Sequence, residues 1–244
     1  MAASHDDVLR EQISYYRARA NEYDEWFLRQ GRYDHGPEEN ARWRGEVAEV
    51  ADALDTFLAE ASGRPGASAL ELAAGTGLWT QRLAGRFTRL IAVDASPETL
   101  AINRERLGPA AEQVEYHVAD IFDWRPERRY DVVFFSFWLS HVPPERFAAF
   151  WAMVRECLAP GGRVFLLDSR YTPTSTARDH QLEGADATRV TRRLNSGREF
   201  QVVKVFYTPE RLSAELAALG WRADLHATPT YFLYGSATPS ALTS

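Results

Sequence analysis

One cysteine, one lysine and two methionines are the scarce residues of this 244-residue chain. Cys157 alone permits no intramolecular disulfide and no cysteine-based zinc cluster, which excludes a disulfide scaffold and a zinc-finger module. No apolar run approaches the length needed to span a bilayer. Residues Met1–Arg10 carry a histidine, two aspartates and an arginine rather than an apolar signal core, so a cytoplasmic protein is expected. Positive charge is also short: the formal net charge is −6, which argues against an electrostatic nucleic-acid binder or a binder of anionic membranes. The near-absence of lysine beside many arginines and alanines points to a GC-rich bacterial genome, a coding bias without functional content. Core material is plentiful: 45% of residues are hydrophobic, with 13 Phe, 10 Tyr and 7 Trp, enough for one large α/β domain.

The first forty residues read as helix. Ile13, Tyr16, Ala20, Tyr23 and Phe27 share one face, while Tyr15, Arg19, Glu22 and Trp26 share a second stripe. A break at Gly36-Pro37 precedes another helix carrying Trp43, Val47, Val50, Leu54 and Phe57. Residues 1–64 are thus expected to form a helical lid or cap, and residues 65–244 the core, within a single structural domain. From residue 68 the period changes to short apolar strands alternating with helices. The expected strands are Ser68–Leu72, Leu90–Val93, Val114–Val118, Tyr130–Phe137 and Arg163–Leu167, and the expected helices are Leu78–Arg86, Pro97–Leu107 and Pro143–Leu158. That rhythm belongs to a parallel sheet with right-handed crossovers. After Asp168 the rhythm breaks. A turn-rich stretch, Tyr171–Gln181, leads to a hairpin insertion at about 188–207 around Asn195-Ser196-Gly197. A helix capped by Thr208-Pro209 and two closing strands, Trp221–Ala227 and Thr230–Tyr234, precede an expected loose tail over residues 236–244.

The chemistry concentrates in Glu71-Leu-Ala-Ala-Gly75-Thr-Gly77-Leu-Trp79-Thr80. Two glycines straight after a strand and opening a helix allow close approach of a nucleotide-like ligand. Asp94 ends the next strand, where an acid can accept from both hydroxyls of a ribose. Asp120 ends the following one, beside Ile121 and Phe122, suiting an exocyclic amine between apolar walls. The third glycine that pyrophosphate binding wants is replaced by Thr80. Lys204, with Phe200 four residues before it, breaks the Tyr-x-x-x-Lys pattern of short-chain dehydrogenases.

These motifs resemble the class I S-adenosylmethionine-dependent methyltransferases over roughly residues 65–235. The glycine-rich segment Glu71–Gly77, the ribose acid Asp94, the adenine-side Asp120-Ile121, the fourth-strand segment Tyr130–Phe137 and the Leu158-Ala-Pro-Gly-Gly162 turn are similar to that family's motifs. The resemblance implies a Rossmann-like, doubly wound, seven-stranded and mainly parallel sheet whose last strand is antiparallel. It also implies S-adenosyl-L-methionine (SAM) as cofactor, over the carboxyl ends of strands one, two and four, with S-adenosyl-L-homocysteine (SAH) as product. The cofactor-binding residues expected are Tyr16, Tyr23, Glu71, Ala73, Gly75, Gly77, Trp79, Asp94, Ala95, Asp120, Ile121, Phe122, Ser136 and Phe137. The N-terminal helix looks like the lid of the branch that includes ubiquinone and menaquinone methyltransferases. There Tyr16 or Tyr23 would close over the sulfonium, or simply pack on the sheet.

His141, after strand four, is the catalytic candidate as a general base, with Asp168 orienting it; packing, a helix cap or a cofactor contact is the alternative. Trp26, Trp138 and Tyr171 are expected to line an aromatic acceptor pocket. Arg192, in an arginine-rich hairpin, either grips a substrate carboxylate or phosphate or lies on a solvated strand edge. No metal site is expected. The function read from the sequence is methyl transfer to a small molecule, O-methylation ahead of N- or C-methylation, by a monomer or homodimer without nucleic-acid or membrane partners. A non-catalytic SAM-binding or scaffolding protein, and an enzyme acting on a peptide or protein, are the alternatives.

Overall fold

A computed structural model describes residues 5–180 and 183–240. Gln181 of the turn-rich stretch and residues 241–244 of the expected tail lie outside them. The chain runs α1 (His5–Arg19), α2 (Tyr23–Phe27), α3 (Pro37–Ser62), β1 (Ser68–Leu72), α4 (Thr80–Leu83), β2 (Arg89–Asp94), α5 (Pro97–Leu107), β3 (Val114–Val118) and β4 (Tyr130–Ser136). It continues with α6 (Phe147–Cys157), β5 (Leu158–Ser169), β6 (Arg189–Arg193), β7 (Glu199–Val203), α7 (Pro209–Ala218), β8 (Trp221–Ala227) and β9 (Phe232–Pro239).

Seven strands form one sheet in the order β3-β2-β1-β4-β5-β9-β8, with β9 antiparallel to both neighbours. Strand β4 shows why the sheet is buried on both sides. Val133 and Phe135 pack into the cluster on one face with Phe150, Trp151 and Leu212, while Val132 and Phe134 join the other with Trp43, Leu54 and Leu100. Because β1 pairs with β2 on one side and β4 on the other, the chain changes winding direction there. The crevice at the carboxyl ends of β1 and β4 is where such sheets bind ligands.

Three expectations change. The first helix does not run through to Phe27: it ends at Arg19, and a tighter turn over Ala20–Glu22 redirects the chain so that Asp24 reaches Thr76 and Arg106. The helix expected over Leu78–Arg86 is regular only over Thr80–Leu83, stopped by Ala84 in an extended conformation before Gly85. Ser236–Pro239 is no tail: it is the second half of β9, paired with Val164–Phe165 and with Trp221–Asp224. The β6–β7 hairpin forms as expected and buries Val190, Leu194, Phe200 and Val202 against Tyr15 of α1. Helix α3 packs its Trp43–Leu54–Phe57 face on the sheet, whereas α1 and α2 lie over the crevice. No helix among the described residues is long and apolar enough to cross a membrane.

Candidate active site

Two cavities meet at the crevice. The first, about 750 Å³, is walled by Ala73, Gly75, Asp94, Ala95, Asp120, Ile121, Phe122, Ser136 and Phe137 from the strand ends. Leu9, Gln12, Ile13, Tyr16 and Tyr23 close it from the N-terminal helices. Asp94 takes the Gly75 N–H on Oδ2 and the Ser96 N–H on Oδ1, both at 2.9 Å, which shapes the glycine loop around its carboxylate. Burial raises its pKa, opposed by those same backbone donors. Asp120 accepts from the Phe122 N–H at 2.9 Å on Oδ1, and its Oδ2 has no partner among the described residues. Trp138 leaves a buried indole N–H unpaired on the same cavity wall. Ala73 and Phe137 hold φ values of 54° and 52°, a costly conformation for residues with a Cβ, at the two strand ends that frame the crevice.

The two glycines differ in purpose. Gly75 faces the cavity, and a Cβ there would meet nothing closer than 3.9 Å. A Cβ on Gly77 would lie 2.7 Å from the Asn103 side chain, so this glycine lets the loop pack against α5 rather than a ligand approach. Trp79 lines only a small side cavity. Glu71 lines none: it is buried beneath the loop beside Thr80, with Oε2 unpaired, and burial pushes its pKa up to about 8.

The second cavity, about 610 Å³, is framed by Trp26, Tyr33 and Phe206 and contains Arg19, Arg192 and Lys204. Arg19 is buried, sits over the rings of Tyr15, Tyr23 and Tyr33, donates to Tyr33 Oη at 3.3 Å and leaves Nε unpaired. Lys204 donates to Ser140 Oγ and Ser169 Oγ at 2.8 Å each and stands 3.7 Å from Asp168 Oδ1. Burial lowers its pKa to about 8 despite that carboxylate. Arg192 reaches in from β6, half-buried, with no hydrogen bond or carboxylate partner among the described residues. Its neighbours in the hairpin do lie outside: Arg193 pairs with Glu199, and Arg198 covers Phe200.

Tyr16, Tyr23, Phe137 and His141 line both cavities and form their shared boundary. His141 is not oriented by Asp168. Asp168 spends its oxygens on the Ser140 and Ser169 N–H groups at 2.8 and 2.7 Å, and the Val203 carbonyl holds His141 Nδ1 at 2.6 Å instead. Burial, then the Lys204 ammonium, hold the imidazole pKa well below its ordinary value. Two acceptor-pocket expectations also shift. Trp138 lies on the first cavity against Phe122, because the chain turns at Phe137. Tyr171 is 39% exposed and outside both cavities, its hydroxyl on the Glu183 carbonyl and its ring on Phe206. Sequence reasoning passed over Arg19 and Gln12, and took from Lys204 only a negative argument. A lone lysine between apolar Val202-Val203 and Val205-Phe206 was the available signal.

The N-terminal helices are tied to the rest of the chain on several sides. Asp24 accepts from Thr76 Oγ1 at 2.7 Å and from Arg106; Trp26 Nε1 and Arg29 donate to the Ser175 and Thr174 carbonyls at 2.7 and 2.6 Å.

The methyltransferase-domain family matches residues 69–162. A ubiquinone biosynthesis O-methyltransferase of Xanthomonas campestris pv. campestris (strain B100) is 31% identical over 157 residues, covering 62% of this chain and 61% of that protein. The chain thus spans about three fifths of the length of the curated relatives it matches. Among solved structures, the DhpI-SAM-HEP complex is 38% identical, covers 98% of this chain and all of that one, and superposes with a TM-score of 0.76. The Burkholderia thailandensis 1,6-didemethyltoxoflavin-N1-methyltransferase shares the fold at 18% identity and TM-score 0.63, over 99% of this chain and 92% of that one. The chain belongs to the class I SAM-dependent methyltransferases. Its cofactor is SAM and the product left behind is SAH. The first cavity fits that cofactor, since it offers an open carboxylate oxygen of Asp120 between apolar walls.

Proposed function

We propose that the protein transfers the SAM methyl group to an acidic oxygen of a small molecule with an apolar or aromatic body. The observation that carries this reading is the charge of the second cavity: Arg19, Arg192 and Lys204 converge there, and among the described residues only the Asp168 carboxylate pairs with any of them. Buried cations short of counter-charge are costly, and an oxyanion relieves that cost with charge-assisted hydrogen bonds. A carboxylate or a phosphorus oxyacid fits; the Trp26, Tyr33 and Phe206 walls take the remainder of the molecule. The relatives named as ubiquinone biosynthesis O-methyltransferases support oxygen as the accepting atom.

For the cofactor, Asp94 would hold the ribose hydroxyls, and Asp120 with Ile121 and Phe122 the adenine. Ala73, Gly75, Ala95, Ser136 and Phe137 would complete the wall, and the Tyr16 and Tyr23 rings would face the sulfonium. Bound SAM supplies an electrophilic methyl carbon on a positively charged sulfur. The acceptor's oxygen reaches it already ionised, so no proton has to be removed, and orientation by the three cations supplies the main rate advantage. That agrees with a His141 held neutral and hydrogen-bonded at both ring nitrogens. Methylation neutralises one negative charge of the acceptor, which weakens its hold on Arg192 and favours release.

A screen of SAH release tests this, with carboxylic acids, phosphorus oxyacids, phenols and amines offered in parallel. Turnover confined to the acids is the expected result. Turnover with neutral phenols or amines and none with acids would refute it.

A further inference from the structure

The hydroxyl of Tyr16 belongs to a hydrogen-bond chain whose direction is forced. The Val203 carbonyl can only accept, so the contact of 2.6 Å with His141 requires the ring proton on Nδ1. The ring is kept neutral by burial and by the neighbouring ammonium of Lys204, which leaves Nε2 with a lone pair and no proton. Tyr16 Oη, 2.7 Å from that nitrogen, must therefore be the donor. Its single proton is committed, and only lone pairs remain on the oxygen. Gln12 braces His141 and Val203 in that hydrogen-bond chain, accepting from the Val203 N–H at 3.0 Å and donating to the His141 carbonyl at 3.3 Å. Tyr16 and His141 both stand on the boundary between the two cavities, on the wall of the one that fits SAM.

We propose that His141 is a positioning residue that turns the Tyr16 hydroxyl so that its lone pairs face the sulfonium methyl, which Tyr16 Oη binds through C–H···O contacts. The C–H groups on a sulfonium carry partial positive charge, so a lone pair attracts them while a hydroxyl proton in the same place would repel them. No bond is made or broken and no proton moves. The consequence is a preference for SAM, which has the methyl group and the charge, relative to SAH, which has neither, together with a fixed direction for the methyl group. The inference rests on the cofactor and not on the acceptor reading.

Calorimetric titration with SAM and with SAH, in the absence of any acceptor, tests it in the wild type and in Tyr16→Phe, His141→Ala and His141→Gln. Tyr16→Phe should weaken SAM by roughly three- to tenfold while SAH stays within about twofold. His141→Ala frees the Tyr16 hydroxyl to rotate and should lower the SAM-to-SAH preference in the same direction. His141→Gln places an accepting amide oxygen near the Nε2 position and should keep the wild-type preference. SAH affinity reports on folding in each variant; where His141→Ala fails to bind SAH, the contrast between Tyr16→Phe and His141→Gln decides. Equal loss of SAM and SAH in Tyr16→Phe would mean that the residue only packs, and overturns the proposal. A preference unchanged by His141→Ala, or lost in His141→Gln, would overturn the role given to His141.

Discussion

Arg192→Gln separates a residue kept for the acceptor from one kept for the fold. Among the described residues the Arg192 guanidinium has no hydrogen-bond or carboxylate partner, and burial, with Arg19 nearby, works against its charge. Removing it breaks no hydrogen bond or ion pair among the described residues, so thermal stability should stay within about 0.5 kcal/mol of wild type or rise. A bound oxyanion, by contrast, loses a charged hydrogen bond worth about 1.5–3 kcal/mol, or roughly 10- to 150-fold in affinity. Inorganic phosphate titrated calorimetrically into the SAH-saturated protein reads this directly, because it carries the head-group charge without an apolar body. Lys204→Met is the control of opposite sign. It strips the ammonium from the buried Asp168 carboxylate and should destabilise the protein by about 3–5 kcal/mol, since one member of a buried pair is left behind. Phosphate affinity unchanged in Arg192→Gln would refute the charge argument. So would a large loss of stability in that variant.

Three further outcomes follow from the same geometry. Asp94→Ala removes the proposed acceptor for the ribose hydroxyls and the anchor of the Gly75 and Ser96 amides, so SAM and SAH affinity should both fall by roughly 100-fold or more by calorimetry. Glu71 has its pKa raised from 4.5 to about 8, so the folded state binds the extra proton between those values and stability from this group falls as pH rises through that window. Glu71→Gln should flatten that slope and stabilise the protein by about 1 kcal/mol or more at pH 8 in denaturant titrations; an unchanged slope would contradict the buried, neutral carboxyl. Asp24→Ala releases the lid from Thr76 and Arg106, and the dissociation rate of SAH should rise roughly tenfold in stopped-flow experiments following the adjacent Trp26, whereas an unchanged rate would show that the lid is held elsewhere.

Much of the sheet was legible because the local signals agreed. The Ser68–Leu72 and Val114–Val118 strands were placed to the residue, and Ser96 caps α5 with its side chain on the Thr99 N–H as the Ser-Pro pair suggests. The sheet also lies as expected, with β9 antiparallel. The break after Arg19 was not legible, since it is imposed by tertiary contacts of Asp24 and by the tyrosine nest around Arg19, with no glycine or proline to announce it. Nor was the strand over Ser236–Pro239, whose small residues carry little propensity and are ordered by pairing on both sides. On the first cavity, the strand-end residues Gly75, Asp94, Asp120 and Phe137 were found because motif spacing fixes them. Of the second cavity's three cations only Arg192 was singled out, because Arg19 lies on α1, far along the chain from the hairpin that carries Arg192 and Lys204. Trp138 lies on the first cavity for a reason no local signal announces: the left-handed Phe137 decides which way the next side chain points.

The most direct measurement is the position of the transferred methyl group. With trideuteriomethyl-labelled SAM and a mixture of carboxylic and phosphorus oxyacids, phenols and amines, mass spectrometry and NMR identify the atom that acquires the label. The account predicts an ester on an acidic oxygen, formed by the wild type and suppressed in Arg192→Gln. Label found only on nitrogen, on carbon or on neutral hydroxyls would contradict it.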